Sequence, residues 1–360
     1  MKFTVVNNNP NQPGNNISEA IINACITWGD QLTESVDAAN YILNFASVTN
    51  PKVIRRKARS VFVITIVTGG KKIENENENK AVCYNTLIKS LANLLIYVAP
   101  DLTTYFTTPE AGFYEIFFDP DKIYKMMNPI ISSNFATDNI FTGDLPFEYW
   151  NGTPVTNRLK YFGKVLDELG VLPVPFPLKD FLSAEQLRHI YKIYGITGAS
   201  YGNLSARERI PSLGDYTFWM TGRGVDKSNL NKIGKDILLV KEFDFENKTA
   251  IISMPRDYDK KARVSVDAVE HALIYKSFPD VGAIIHVHAW MNGIMCTRQN
   301  YPCGTVELAQ EVLNLIRHTS NPASTVVGLK NHGLTITGKN LEEIFGRITG
   351  KLIKEVEMFA

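Results

Sequence analysis

The segment Val281–Ala289, VGAIIHVHA, constrains this chain more than any other stretch. Its run GAIIHV is apolar and rich in branched residues, the pattern of a strand buried in a sheet. Residues i and i+2 of a strand point to one face. His286 and His288 therefore project together, with Cα atoms roughly 7 Å apart. Two neutral imidazoles side by side on a buried strand cost free energy unless each has a partner. Two arrangements satisfy them: a hydrogen-bonded structural pair, or one ion on which both converge. The spacing alone leaves both open.

A third histidine, His332, lies 44 residues beyond His288 in VVGLKNHGLTITG. It follows a strand-like apolar run and precedes a glycine that permits a sharp turn. A third imidazole would complete a site of three protein ligands with a position left open, as in catalytic zinc centres. The other three histidines fall in helix-like surroundings. His189 and His318 read as surface residues, and His271 reads as a group behind the ligands.

With 360 residues the chain is long enough for two ordinary domains. Apolar residues make up 44% and charged residues 21%, the balance of a soluble globular protein. A net charge of +1 recommends neither nucleic acid nor a membrane surface as partner. The N-terminus has no apolar core of signal-peptide length, and no apolar run reaches the roughly 20 residues of a membrane span. Cys25, Cys83, Cys296 and Cys303 form no C-x-x-C pair. They read as buried or inert thiols, and the cytoplasm is the expected location.

The first 140 or so residues alternate strand-like and helix-like signals, which predicts an N-terminal α/β domain over 1–145. Lys2–Val6, Asn40–Phe45 and Ser60–Val67 read as strands, and Ile17–Trp28 and Ala81–Val98 as helices. The loop NNNPNQPGNN lacks the glycine spacing of a phosphate cradle, and KKIENENENK reads as a solvated loop. Prolines 146, 154, 173, 175 and 177 punctuate a linker over 146–180, with a helical stretch at Asn157–Leu169. A second domain is expected over 181–360. It opens on the capping sequence Ser183-Ala184-Glu185-Gln186, with Leu187, Ile190 and Tyr194 at helical spacing. It closes on a helix, Leu341–Met358, whose apolar stripe suits a core or a subunit contact.

Five strings share an order with one known family: GNLSAR (202–207), MTGRG (220–224), HVHAWMNG (286–293), GTVELAQEV (304–312) and NHGLTITG (331–338). Through them the region 181–360 resembles the class II aldolase/adducin family. The resemblance implies an α/β/α fold around a central, mainly antiparallel sheet, and a homotetramer with sites near subunit interfaces. It also implies one divalent metal ion per subunit on His286, His288 and His332. Zinc suits three imidazoles, and manganese, cobalt or nickel are alternatives.

In that family a carboxylate stands 19 residues before the first metal histidine, which here is Asp267. The resemblance makes Asp267 the acid/base group. The alternative is a helix-start carboxylate favoured by the dipole. Phosphate recognition would use Gly202, Asn203, Thr221, Gly222 and Ser265, with Arg207 and Arg223 as charged partners. Four departures stand out. Asp267 replaces the usual glutamate of aldolases, as in the epimerase branch, and Val266 replaces a serine. Only 15 residues separate His288 from Gly304, where sugar-phosphate aldolases have a longer insert, and no tyrosine follows Tyr301.

These features lead to an expected function: metal-dependent lyase chemistry on a small hydroxyketone or sugar phosphate, with aldolase-type C–C cleavage placed first. Epimerase, dehydratase and decarboxylase chemistry are the alternatives within the family. A non-catalytic adducin-like interaction domain is the alternative of another class. Adducin heads lack the metal histidines, which this chain keeps.

Overall fold

The computed structural model describes residues 1–7, 15–54, 61–68, 75–110, 112–172, 183–185, 201–258 and 261–360. Two compact units form. The first is Met1–Asn134 with Gln299–Pro302 and Met358–Ala360, and the second is Phe135–Arg298 with Cys303–Glu357. The fold is mixed α/β, with one sheet in each unit among the described residues.

The first sheet contains β1 (Lys2–Val6), β2 (Gln31–Leu32), β3 (Tyr41–Ala46), β4 (Phe62–Thr68), β5 (Leu94–Val98), β6 (Thr103–Thr107) and β7 (Phe113–Phe117). Their order is β2-β1-β3-β4-β5-β6-β7. Pairing is parallel as far as β5 and antiparallel beyond it. The central strands YILNFA, FVITIVT and LLIYV are almost wholly buried, which is why they read as continuous apolar runs. The helices of this unit are α1 (Asn15–Thr27), α2 (Glu76–Ser90) and α3 (Pro120–Ile131).

One helix was expected over Ala81–Val98, and the chain divides there instead. Helix α2 starts earlier, because the Asn75 side chain accepts the Glu78 N–H and Lys80 pairs with Glu76 at 2.6 Å. The second half of KKIENENENK is therefore helical, not loop. The helix stops at Leu91, whose φ of 58° is left-handed. Leu94–Val98 then enters the sheet, where all five residues are buried. A run of five large apolar residues gains more between two sheet neighbours than on a helix with one wet face.

The second unit contains β8 (Asp138–Thr142), α4 (Pro154–Glu168), β9 (Asn203–Arg207), β10 (Phe218–Thr221), β11 (Ile237–Asp244) and β12 (Thr249–Ser253). It continues with α5 (Ala268–Ser277), β13 (Ala283–Val287), β14 (Met295–Cys296), α6 (Val306–Arg317), β15 (Val326–Leu329), β16 (Gly333–Gly338) and α7 (Leu341–Ile348). The sheet order is β14-β15-β16-β13-β9-β10-β11-β12-β8. Every pairing is antiparallel except those at the two edges, β14 with β15 and β12 with β8. This is the mainly antiparallel sheet expected, with VGAIIHVHA near its centre.

The stretch expected as a linker contributes to this unit. Strand β8 pairs in parallel with β12, so the unit takes in residues from Phe135 rather than from 181. Among the prolines, Thr153 and Thr156 make a reciprocal cap with Pro154 in the first turn, and this starts α4. Phe162 of α4 stacks on Phe345 of α7, ring centroids 4.4 Å apart. Prolines 173, 175 and 177, the loop at 8–14 and most of the helix expected after Ser183 lie outside the described residues.

Helix α7 is shorter than its sequence pattern. It ends at Ile348, followed by Thr349 at φ −57°, ψ 128°, outside the helical region, and Gly350 at φ 76°. Leu341, Ile344, Phe345 and Ile348 are at most 5% exposed within the chain itself, so the part of the apolar stripe on the helix is covered in cis, while Leu352 and Val356 beyond it are half-buried. Past the helix, Ile353 forms a two-way backbone bridge with Trp290. No helix among the described residues is long and apolar enough to cross a membrane.

Candidate metal centre

His286 sits in β13 between two neighbours, opposite Asn203 of β9 and Thr335 of β16. Its Nδ1–H donates to the Leu334 carbonyl at 3.0 Å, so Nε2 carries the lone pair. That Nε2 is buried and has no hydrogen-bond partner among the described residues. His288 lies just past the strand and stacks on Tyr201, ring centroids 4.7 Å apart. His332 occupies the tight turn from β15 to β16, after Asn331 at φ 58°.

Glycines let these segments approach. A Cβ at Gly333 would stand 2.3 Å from the Val287 carbonyl oxygen, so only glycine allows the His332 turn to close on β13. A Cβ at Gly202 would stand 2.6 Å from the His286 carbonyl oxygen, and its φ of 73° is left-handed. The three imidazoles meet: ring centroids are 5.1 Å apart for His286 and His288, 4.7 Å for His286 and His332, and 4.9 Å for His288 and His332.

Burial holds all three below the usual histidine range. His286 and Lys227 add to this at His288, whereas Asp267 and the Leu334 carbonyl oppose it at His286. The rings are therefore neutral at physiological pH, with lone pairs available to a cation. A buried lone pair without a donor is costly unless something binds it. Neutral converging imidazoles and an unpaired Nε2 fit a divalent ion. His286, His288 and His332 would hold it.

Asp267 precedes α5 at the N-cap position, yet its side chain makes no capping bond. Its Oδ2 accepts from the Asn203 amide at 2.6 Å, and its Oδ1 accepts from the Cys303 thiol at 3.1 Å. The helix-start alternative therefore explains its position but not its contacts. Cys303, expected as an inert thiol, has its sulfur 3.6 Å from His332 Nε2. The donor atoms of His286, Cys303 and His332 all lie within 4.8 Å of one another.

The expected anion pocket divides. The Asn203 side-chain amide donates to Asp267. The Gly222 N–H donates to the Asp236 carbonyl at 2.8 Å, and the Ser265 N–H donates to the Thr221 carbonyl at 3.2 Å. The Thr221 hydroxyl accepts from the Leu204 N–H at 3.3 Å. These backbone donors are internal, which leaves Gly202 and the Ser265 side chain from the expected set. Arg207 also serves the fold: it donates to the carbonyls of Tyr275, Phe278 and Val281, closing the end of α5.

Three further residues carry no sequence signal for a site. Lys227 is 2% exposed, and burial pushes its amine down to about 7, against the opposing pull of Asp267 and Asp226. A lone lysine in a turn reads as surface. Glu270 is 3% exposed, and its Oε1 accepts from the Thr335 hydroxyl at 2.7 Å. Cys303 is the third. His271, expected behind the ligands, is fully buried. Its Nδ1 bonds the Ser205 hydroxyl at 2.8 Å, and burial pushes it down to about 3.

Glu270 has a pH consequence. Burial, and after it the charge of Asp267, pushes its carboxyl up from 4.5 to about 8. Between those values the unfolded chain releases a proton that the folded chain keeps, so stability falls as pH rises through that window. Glu270→Gln is expected to flatten this fall by an amount on the order of a few kcal/mol. Denaturant unfolding of chelator-treated protein at pH 5 and pH 8 measures it. An equal drop in both proteins would show that folded Glu270 is ionised throughout.

Residues 184–300 match the family model described as Class II Aldolase and Adducin N-terminal domain. This region is a class II aldolase/adducin domain. The match takes in Asp267, His286 and His288, and Cys303 and His332 lie beyond it. Methylthioribulose-1-phosphate dehydratase of Leptospira interrogans is 32% identical over 131 residues, 36% of this chain and 49% of that protein. The enzyme of that name from Leptospira borgpetersenii is 32% identical over 117 residues, 32% of this chain and 43% of that protein. The chain thus spans about half the length of the curated relatives it matches. Among solved structures, an L-fuculose 1-phosphate aldolase overlaps 56% of this chain and 82% of its own, at 18% identity and a TM-score of 0.36. An aldolase II superfamily protein from Pseudomonas syringae overlaps 57% and 72%, at 16% identity and a TM-score of 0.35.

Proposed function

We propose that the second unit is a divalent-metal-dependent lyase acting on a small hydroxyketone of the sugar-phosphate class. The observation that carries this reading is the clustering of three neutral imidazole rings beside Asp267, with the donor atoms of His286 and His332 brought together and the His286 Nε2 lone pair unpaired. His286, His288 and His332 hold the ion, and zinc is the first choice for three imidazoles. When bound, the ion supplies a Lewis acid that polarises a substrate carbonyl.

The remaining work belongs to side chains. The Asn203 amide fixes the Asp267 carboxyl, which then moves a proton at the substrate. For loss of water it would take the proton on the carbon beside the carbonyl. For C–C cleavage it would take the proton of the hydroxyl two carbons away. The Leptospira dehydratases favour the first reaction, and aldolase-type cleavage is the second reading. Self-association as a tetramer rests on the family resemblance alone, because the α7 stripe is already buried within the chain.

The test is a screen of zinc-loaded and manganese-loaded protein. Methylthioribulose 1-phosphate, fuculose 1-phosphate and unphosphorylated hydroxyketones are each incubated with it and analysed by mass spectrometry. Loss of 18 mass units, the mass of one water, identifies a dehydratase. Two carbonyl fragments identify an aldolase. Turnover limited to phosphorylated substrates would assign Gly202 and Ser265 to the phosphate. No turnover of any of them with either metal counts against a lyase.

A further inference from the structure

We infer that Cys303 supplies its sulfur as a fourth donor to the divalent ion held by the histidine cluster while no substrate is bound, at the position a substrate oxygen takes in the metal reading above, on which this inference rests. Two donors on one tetrahedral ion, sulfur at about 2.3 Å and nitrogen at about 2.05 Å, stand about 3.6 Å apart. Cys303 Sγ and His332 Nε2 are 3.6 Å apart. The same sulfur lies with the donor atoms of His286 and His332 in a set no wider than 4.8 Å. His286, 2% exposed, offers its unpaired Nε2 to this set.

The sulfur is placed by rigid local structure. Gly304 follows it at φ 73°, and a Cβ there would stand 2.8 Å from the Val266 Cβ and 3.0 Å from the Val266 carbonyl oxygen. The Gly304 carbonyl accepts the Ala136 N–H at 2.8 Å. Thr305 then caps α6 by accepting the Leu308 N–H. A turn clamped against Val266 holds Cys303 beside Asp267. Coordination releases the thiol proton to solvent. A thiolate among imidazoles favours zinc and cobalt over manganese.

The experiment is cobalt substitution of the full chain, read by absorption and by metal content. Wild type is expected to bind one cobalt per chain and to show the near-ultraviolet sulfur-to-cobalt charge-transfer band. Cys303→Ser is expected to lose that band while keeping the visible bands of bound cobalt, and Cys296→Ser is expected to retain both. Iodoacetamide gives a second readout: Cys303 is protected with cobalt bound and alkylated after chelation. Stoichiometric cobalt in wild type without the charge-transfer band would overturn the sulfur ligand and leave the histidine centre standing. A band that survives in Cys303→Ser would do the same. Failure of wild type to bind cobalt would overturn both.

Discussion

His286→Ala is expected to abolish stoichiometric divalent metal while the chain still folds. His286 is the ligand candidate most firmly fixed by the backbone: β13 runs between β9 and β16, and the Nδ1 bond to Leu334 sets both tautomer and ring orientation. Loss of a group that only orients a ligand typically costs about 10–100-fold in affinity. Removal of the ligand itself is expected to exceed that range. The strand should survive, because its pairing is made by the backbone and its other side chains are buried aliphatics. Metal content after dialysis gives the result, with circular dichroism and thermal unfolding as the check on folding. Full occupancy in the variant would remove the histidine centre from consideration.

Asp267→Asn is expected to lower turnover by about 10²–10⁴-fold with metal content and fold unchanged. The substitution keeps the shape of the side chain and an oxygen to accept the Asn203 amide proton. It removes the capacity to take a proton from substrate. Its other end would present an NH2 group toward Cys303, where the carboxyl now accepts a thiol hydrogen bond. Steady-state kinetics on whichever substrate the screen identifies, with metal analysis alongside, separates proton transfer from structure. A kcat equal to wild type would make Asp267 a structural partner of Asn203 and move proton transfer to a neighbour such as Lys227.

Sequence by itself determined the buried strand around His286, because an apolar β-branched run has few other stable uses, and its period of two put His286 and His288 on one face. It also indicated the mainly antiparallel sheet and Asp267, through motifs held in register. Tertiary structure decided the elements whose ends depend on what packs beside them. The left-handed Leu91 split one apparent helix into α2 and β5, and the bridge from Ile353 to Trp290 follows the early end of α7. Neither stop is written in local periodicity. The convergence of His332 on His286, the sulfur of Cys303 beside both, and the burial of Lys227 and Glu270 also depended on the assembled sheet. Each brings together residues distant in sequence, and a charge or thiol acquires its chemistry from the neighbours and the dielectric that folding puts around it.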